Sequence, residues 1–534
     1  TQRRGSPMSI KMLARGMRAF VAGGGRVFSS SAAAETIIPS TETTRDAQSR
    51  TTRTARATPG AARPAIGRKE TLGRRLFALL NANRSNAVTI IRKWKEEGHT
   101  VAKNELNRVV RELRRLKRYD QALQICDWME AQKDMELQPG DYAVRVDLVA
   151  KVHGLNRADF FFHSMPETMK GQSTFTALLH TYVQNKESAK AEALMKRMES
   201  GGFLINAHPY NRMISLYISI GQFDRVPEMI KELKKCTKPN IDTYNLWLTA
   251  CAAQNDIETA EKAFVEIKEA KILTDWVTYG ALAGLYVKEK LFEKATSALL
   301  EMEKRAFNIH RTPYPSLISM HASVGNKEEV LRVWNKIKLY FGMRNSSEYT
   351  SMMSALVKLD LFKKAEGLYE EWVSAFETKD CRIPNILLAG YINKRNMEVA
   401  EGFYDRMVGS GVSPSYTTWE LLTWGYLKAK QTKKAVKCFR KAVRKVRIWD
   451  PDVKLIREVF GSLEEDGDVE GAEEVLAVLR KAKFVNTEMY SRLLRTYAKA
   501  EKMPPPTVKE CMEEDKVEPD EETRELMELT SRMG

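Results

Sequence analysis

The chain has little of what usually announces catalytic or cofactor chemistry. Its six cysteines, at 126, 236, 251, 381, 438 and 511, include no Cys-x-x-Cys pair. Spread in this way they suit small buried residues of a reducing compartment rather than a disulfide framework or a redox motif. None of the seven histidines stands at metal-ligand spacing to another histidine or to a cysteine, so no metal is expected. No run approaches the roughly 18 apolar residues of a membrane helix, which points to a soluble chain with no membrane partner. No glycine-rich loop joins a strand-like run to a helix and no Walker phosphate loop occurs, so no cofactor and no small-molecule substrate are expected. With 534 residues, the chain is too long for one ordinary domain unless it is an array.

What is present begins with charge. The formal net charge is +17, and residues 1–102 hold 19 basic and 6 acidic side chains. The stretch 103–508 is therefore only about +10 and the tail from Lys509 to Gly534 about −6. Such a middle suits a phosphate-tracking groove if the cations gather on one face.

From Met8 the chain reads MSIKMLARGMRAFVAGGGRVFSSSAAAE. It is rich in Arg, Ser and Ala and has no acid before Glu35, and Lys11, Arg15 and Arg18 share one helix side. That is the make-up of an organelle transit peptide. Arg26 to Ser30, RVFSS, resembles the processing site of plant mitochondrial presequences, so residues 1–28 are read as a mitochondrial leader cleaved after Phe28. The mitochondrial matrix is the expected location, and a chloroplast address or an exposed basic tail is the alternative. Residues 29–70, rich in Ser, Thr, Ala and Arg, are too poor in large apolar residues to fold and are read as a disordered linker. Helical periodicity starts at Leu72 with Leu76, Leu79 and Leu80, then Val88, Ile91 and Trp94, which makes 71–102 a helical cap.

The dominant signal is a repeat. PNIDTYN, Pro239 to Asn245, returns 35 residues later as TDWVTYG, Thr274 to Gly280. Units begin near Lys103, Pro139, Gln172, Ala207, Ile241, Trp276, Arg311, Ser346, Cys381, Tyr416, Val453 and Thr487, about twelve repeats over 103–520. A fixed period of this length is the mark of a stacked array. Each unit reads as two amphipathic helices. In the unit from Ile241, Thr243 is placed to cap the first helix, with Trp247, Leu248 and Cys251 as its apolar stripe. Asn255 suits the left-handed break, Asp256 the second cap, and Ala260, Phe264 and Ile267 the second stripe. Neither helix pair can cover both its faces alone, so the expected architecture is all-α, a right-handed α-solenoid with the first helices lining an inner groove. Residues 521–534 read as an acidic helix capping the stack.

A 35-residue unit with Thr-Tyr-Asn at its start, Ala, Phe and Met in its second half and Pro-Asp at its end resembles the pentatricopeptide repeat. GSGVSPS (409–415) and DKVEPD (515–520) are close to that family's unit ending. The first helices lack the Trp, Leu-Gly and Tyr pattern of tetratricopeptide repeats. The resemblance implies single-stranded organellar RNA as partner, one base per repeat, read by the fifth and last residues of each unit. Carried over, Thr176 with Asn206 resembles an adenine pair, and Asn211 with Asn240 and Asn385 with Ser415 resemble pyrimidine pairs. Asn245 with Asp275 resembles the uracil pair, and Thr350 with Asp380 and Ser491 with Asp520 resemble guanine pairs. The implied order is 5′-A-Y-U-n-n-G-Y-n-n-G-3′.

Other units depart from the pattern. Gly280 with His310, Pro315 with Asn345, Glu420 with Asp452 and Arg457 with Asn486 match no common pair. The second residue of each unit, aliphatic in RNA-bound members, is here Ser173, His208, Asp242, Val277, Thr312, Ser347, Arg382, Thr417, Lys454 and Glu488. Only Val277 fits, and base stacking contributes about 1–3 kcal/mol per base in single-strand binders. Arg115, Lys288, Lys358, Lys428 and Lys499 recur near the end of the first helix. They are read as phosphate contacts, the alternative being cations that complement the helix dipole.

The family's deaminase motifs, His-x-Glu with Cys-x-x-Cys, do not occur, so no catalysis is expected. The first functional reading is an RNA-binding factor acting in mitochondrial RNA stabilisation, processing, splicing or translation. The second is a structural subunit of the mitochondrial ribosome contacting rRNA, with ribosomal proteins or RNA-processing factors as neighbours. The third is a protein–protein scaffold.

Overall fold

The computed structural model describes residues 71–81, 86–132, 134–306, 310–342, 345–377, 379–445 and 452–532. The expected leader at 1–28 and linker at 29–70 lie outside the described residues. Among those described the fold is all-α, with helices and no strand. They divide into two compact units, one ending at Leu285 and one starting at Tyr286.

The unit ending at Leu285 opens with helices Leu72–Asn81 and Ala87–Glu96. Leu72, Leu76, Ile90, Ile91 and Trp94 pack there with Leu106, Val109 and Leu113 of helix Lys103–Arg115. Helix pairs then follow: Pro139–His153 with Leu155–Ser164, Gln172–Gln184 with Ser188–Ser200, His208–Ile220 with Arg225–Cys236, and Ile241–Gln254 with Ile257–Glu269. The unit starting at Tyr286 continues with first helices Tyr314–Val324, Ser346–Lys358, Arg382–Asn393, Tyr416–Lys428, Val453–Asp466 and Thr487–Lys499, each followed by a second helix. In both units a first helix packs on its own second helix and on the first helix of the next repeat. That gives two layers, with apolar side chains filling the space between. Tyr182, Met198, Tyr210 and Leu233 belong to one such core, and Phe439, Phe460, Leu479 and Tyr490 to another. Fully burying one large apolar side chain contributes about 1.5–3 kcal/mol, so each interface rests on several such residues rather than on any single pair.

The turn inside each repeat is equally regular. Lys117, Lys186, Asn255, Lys290, Asp360, Arg395, Lys430 and Glu501 all have φ between 54 and 61°, and Gly221, Gly325 and Gly467 take the same register with positive φ. A left-handed residue ends each of these first helices and lets the chain reverse into the second, whereas helix Pro139–His153 ends at Gly154 with φ 84° and ψ 174°. Asn255 fulfils the expectation for its position, and Asp256 caps the second helix by accepting from Thr259 N at 3.0 Å.

Three local expectations are corrected. The cap of helix Ile241–Gln254 is Asn240, which accepts from Thr243 N at 3.0 Å, and Thr243 returns the interaction at the third helical position. In the second helix Ala260, Ala263 and Ile267 are buried, whereas Phe264 is half-buried and meets Tyr279 edge-on at 5.6 Å. A period of 3.6 residues places both 263 and 264 near the buried stripe, and the smaller residue takes the tighter contact. Trp247 is likewise half-buried, and Tyr244 takes the core position beside Leu248 and Cys251.

First helices approach closely where side chains are small. A Cβ at Gly390 would lie 2.7 Å from Val357 Cγ1 and 2.9 Å from Phe362 Cε1. Among the described residues, no helix is long and apolar enough to cross a membrane.

Candidate nucleic-acid interface

The fifth residue of a repeat sits one turn into the first helix. The last residue is the N-cap of the next first helix at Asn240, Ser415 and Asp520, whereas after Asn206 and Asp380 the N-cap is one residue later, Ala207 and Cys381. Stacking the first helices brings these two side chains together across 29 or 30 residues of sequence. Asn245 Nδ2 donates to Asp275 Oδ1 at 3.2 Å and Oδ2 at 3.3 Å. Asn211 Nδ2 donates to Asn240 Oδ1 at 3.1 Å.

A third residue completes each contact, and of these the sequence singles out only Thr243, as a cap. The Thr278 hydroxyl lies 2.7 Å from Asn245 Oδ1 and 2.9 Å from Asp275 Oδ1, and Thr278 N donates to Asp275 Oδ1 at 2.9 Å. Thr243 stands in the same relation to Asn211 and Asn240, with 2.8 Å from its hydroxyl to Asn211 Oδ1. Thr418 donates to Asn385 Oδ1 at 2.9 Å and lies 3.2 Å from Ser415 Oγ. Thr523 lies 2.8 Å from Ser491 Oγ and bonds to Asp520. That bond holds the Asp520 carboxyl below its ordinary value. All four threonines are buried, as are Asn211, Asn245, Asn385 and Ser491. The signal was present in the sequence as threonine at the third position of these repeats.

The other two sequence-derived pairs are not brought together. The Thr350 hydroxyl donates to Ser346 O at 2.7 Å, while Asp380 accepts from Arg382 N at 2.9 Å and Nε at 2.6 Å. The Arg382 guanidinium holds the Asp380 carboxyl below the usual range. The Thr176 hydroxyl donates to Gln172 O at 2.7 Å, and Asn206 accepts from His208 N at 3.0 Å. In both cases the following first helix starts one residue later, with Cys381 and Ala207 as N-caps, so Asp380 and Asn206 lie one residue outside the cap position, and the third positions there, Ile383 and Pro209, carry no hydroxyl.

One further pair was missed. Asn107 Nδ2 donates to Asp141 Oδ1 at 3.1 Å, and Asp141 Oδ2 accepts from Gln138 N at 2.9 Å. Here an aspartate takes the third position, and Lys103 Nζ adds an ion pair to it at 2.6 Å.

The second positions face outward. Ser173, His208, Asp242, Thr312, Ser347, Arg382, Thr417 and Lys454 are exposed, and Val277 and Glu488 are partly exposed. Near the C-terminus this face is occupied by ion pairs. Arg457 Nε and Nη2 reach the two Glu488 carboxylate oxygens at 2.8 and 2.9 Å, Arg492 Nε joins at 3.2 Å, and Arg495 pairs with Glu522. Arg457 holds the Glu488 carboxyl below its ordinary value. In the other unit, the Arg114 guanidinium and Lys151 ammonium contact the buried Asp147 at 3.0 and 2.8 Å. Burial alone would raise this carboxyl, and the two cations outweigh it. Burial and Arg212 push the neighbouring His180 down to about 4.

Arg115, Lys288, Lys358, Lys428 and Lys499 each form the last residue of a first helix, and all five are exposed. Lys358 Nζ donates to Ser323 Oγ at 2.8 Å, and Arg115 pairs with Glu112 at 2.7 Å. Partial desolvation lowers the ammonium pKa of Lys358 and Lys428. No group of three His, Cys, Asp and Glu side chains that could hold a metal occurs among the described residues.

A helix-pair array of this period, with polar side chains at several junctions between first helices, defines an α-repeat protein. The chain matches the pentatricopeptide repeat domain over residues 194–252 and 234–289, and the PPR repeat over 173–203, 277–307, 349–375 and 383–412. It is 50% identical over 468 residues to a mitochondrial pentatricopeptide repeat-containing protein of Arabidopsis thaliana, covering 88% of each chain. A second mitochondrial Arabidopsis relative is 34% identical, with 77% of this chain and 84% of the relative covered. The chain belongs to the pentatricopeptide repeat family. Among solved structures it is similar in fold to the pentatricopeptide repeat protein PPR10, a maize protein, in complex with an 18-nt psaJ RNA element. That similarity has a TM-score of 0.53 and 18% identity, and covers 84% of this chain and 69% of that one.

Proposed function

We propose that the protein is a single-stranded RNA-binding factor of the mitochondrial matrix that holds a transcript along its first helices and acts in RNA stabilisation, processing, splicing or translation. The observation that carries this is the Asn245 and Asp275 pair. It sets an amide N–H donor beside a carboxylate acceptor, and uracil offers a carbonyl acceptor beside its N3–H donor. The same junction recurs at Asn211 with Asn240 and, through threonine, at Asn385 with Ser415 and Ser491 with Asp520. Exposed cations end five first helices, four of them in the unit starting at Tyr286, and their charge suits contact with phosphate. Support for the location comes from relatives named as mitochondrial. The RNA in the complex of a protein of similar fold agrees with the ligand class. Crosslinking the protein to RNA in isolated mitochondria and sequencing the fragments tests the proposal. One dominant short footprint is expected, and recovery of no RNA would overturn it.

A second reading is favoured by one observation. Arg457, at a fifth position, is engaged by Glu488 at the next second position, which leaves that junction to protein charges. Such repeats suit a shaped RNA held by phosphate contacts, as a subunit of the mitochondrial ribosome would require. Co-sedimentation with ribosomal particles at high salt, together with an rRNA footprint, would establish this reading in place of the free factor.

A further inference from the structure

We propose that the buried third-position threonines, Thr243, Thr278 and Thr418, are positioning residues that set base preference in the repeat before their own. The inference rests on the RNA-reading function proposed above and assigns specificity to a residue that lies outside the reading pair.

The geometry at Thr278 leaves one consistent proton arrangement. Asn245 Nδ2 faces a carboxylate, so its Oδ1 faces the Thr278 hydroxyl at 2.7 Å. An amide oxygen only accepts, so the hydroxyl donates to it. The hydroxyl oxygen in turn accepts from Asp275 N at 3.4 Å, and Asp275 Oδ1 accepts from Thr278 N at 2.9 Å. The ring closes: backbone N–H to hydroxyl, hydroxyl to amide oxygen, amide nitrogen to carboxylate. Turning the Asn245 amide over would set its oxygen against the Asp275 carboxylate and its NH₂ against the hydroxyl. The carboxylate, which only accepts, sets which way the amide faces, and the hydroxyl donates to the amide oxygen and holds the side chain in that position.

The same ring forms once more, at Thr243, and two of its three links recur at Thr418. Thr243 donates to Asn211 Oδ1 and accepts from Asn240 N at 3.3 Å, while Asn211 Nδ2 meets Asn240 Oδ1 at 3.1 Å. Thr418 donates to Asn385 Oδ1 and accepts from Ser415 N at 3.0 Å. The consequence is chemical. An amide fixed nitrogen-outward offers a donor to a pyrimidine carbonyl, whereas a turned amide offers an acceptor to the cytosine amino group. The threonine hydroxyl thus separates uracil from cytosine at a base it does not touch.

The test uses the full chain and synthetic RNA. A pool of randomised 14-nucleotide RNAs is selected on the protein. Single-nucleotide variants of the winner are then titrated at the position assigned to Asn245 and Asp275. Thr278→Val keeps the shape and removes the hydroxyl, and Thr278→Ser restores it. The expected result is a uracil-over-cytosine preference that falls by roughly tenfold in Thr278→Val, returns in Thr278→Ser and leaves preference at the other nucleotides unchanged. Thr418→Val, read at the nucleotide of Asn385 and Ser415, repeats the measurement in a different junction should Thr278→Val fail to fold. An unchanged preference in the valine variants, or an equal loss of affinity for all four bases, overturns the positioning role and leaves RNA reading standing. A wild-type protein with no base preference at that nucleotide overturns both.

Discussion

Asn245 and Asp275, thirty residues apart, share two hydrogen bonds of 3.2 and 3.3 Å from one amide nitrogen to both oxygens of one carboxylate. The contact exists because Asn245 sits one turn into a first helix and Asp275 immediately precedes the next. It is a product of stacking, and it turns a repeat junction into a donor and acceptor pair. Replacing Asn245 with Thr while keeping Asp275 exchanges the amide for a hydroxyl. The substitution is expected to move preference at that nucleotide from uracil toward guanine, as read by titration with four RNAs that differ there. Unchanged affinity for all four would show that the repeat reads no base.

The charged face near the C-terminus makes a different expectation. Glu488 holds Arg457 and Arg492 together. Glu488→Gln releases both guanidinium groups for phosphate. RNA affinity at low salt is expected to rise, and the salt dependence of binding to steepen by about one phosphate contact. Stability should change by less than about 1 kcal/mol because the pair is exposed. Titrations at several salt concentrations with wild type and variant check this.

Much of the fold could be read from local sequence, and the exceptions have one cause. Asn255 and Asp256 were correctly placed as break and cap because both act on their own backbone. The same logic makes Thr243 a cap. Its hydroxyl instead bridges to Asn211, 32 residues back, and a contact of that range appears only once helices are stacked. The register of Arg115, Lys288, Lys358, Lys428 and Lys499 followed from the period alone, and all five do end first helices. Thr350 with Asp380 looked like a reading pair because the positions match. The nearer partner, Arg382, takes the carboxylate because it needs no help from packing. Arg457 with Glu488 is legible in the sequence only as opposite charges at a fifth and a following second position, since their contact depends on the stacking of two helices.

The left-handed turn residues carry a cost that can be removed. Lys430 has φ 55° at the end of helix Tyr416–Lys428. A residue with a Cβ pays roughly 1–2 kcal/mol there, and glycine does not, though its looser unfolded chain takes back part of the gain. Lys430→Gly is expected to stabilise the protein by about 0.5–1 kcal/mol, seen as a higher melting temperature in circular dichroism. Lys437→Gly, within helix Thr432–Arg444, should do the opposite.

His180 makes stability depend on pH. Its neighbours are Arg114, Lys151 and Arg212, with Asp147 the opposing charge. Burial lowers its pKa from 6.5 to about 4 in the folded protein. The unfolded chain therefore takes up a proton first as pH falls. The stabilisation is whole above pH 6.5 and is lost between 6.5 and about 4. Between pH 7 and pH 5 the wild type is expected to lose roughly 1–2 kcal/mol more than His180→Gln, measured by urea unfolding at both values.

The central claim is that the junction of Asn245 and Asp275 reads one base. The most direct measurement is the dissociation constant of the full-length protein for four RNAs that differ only at the nucleotide facing that junction. The account expects uracil to bind at least about tenfold more tightly than adenine or guanine, with Asp275→Ala removing the difference. Equal affinity for all four RNAs in the wild-type protein would contradict it.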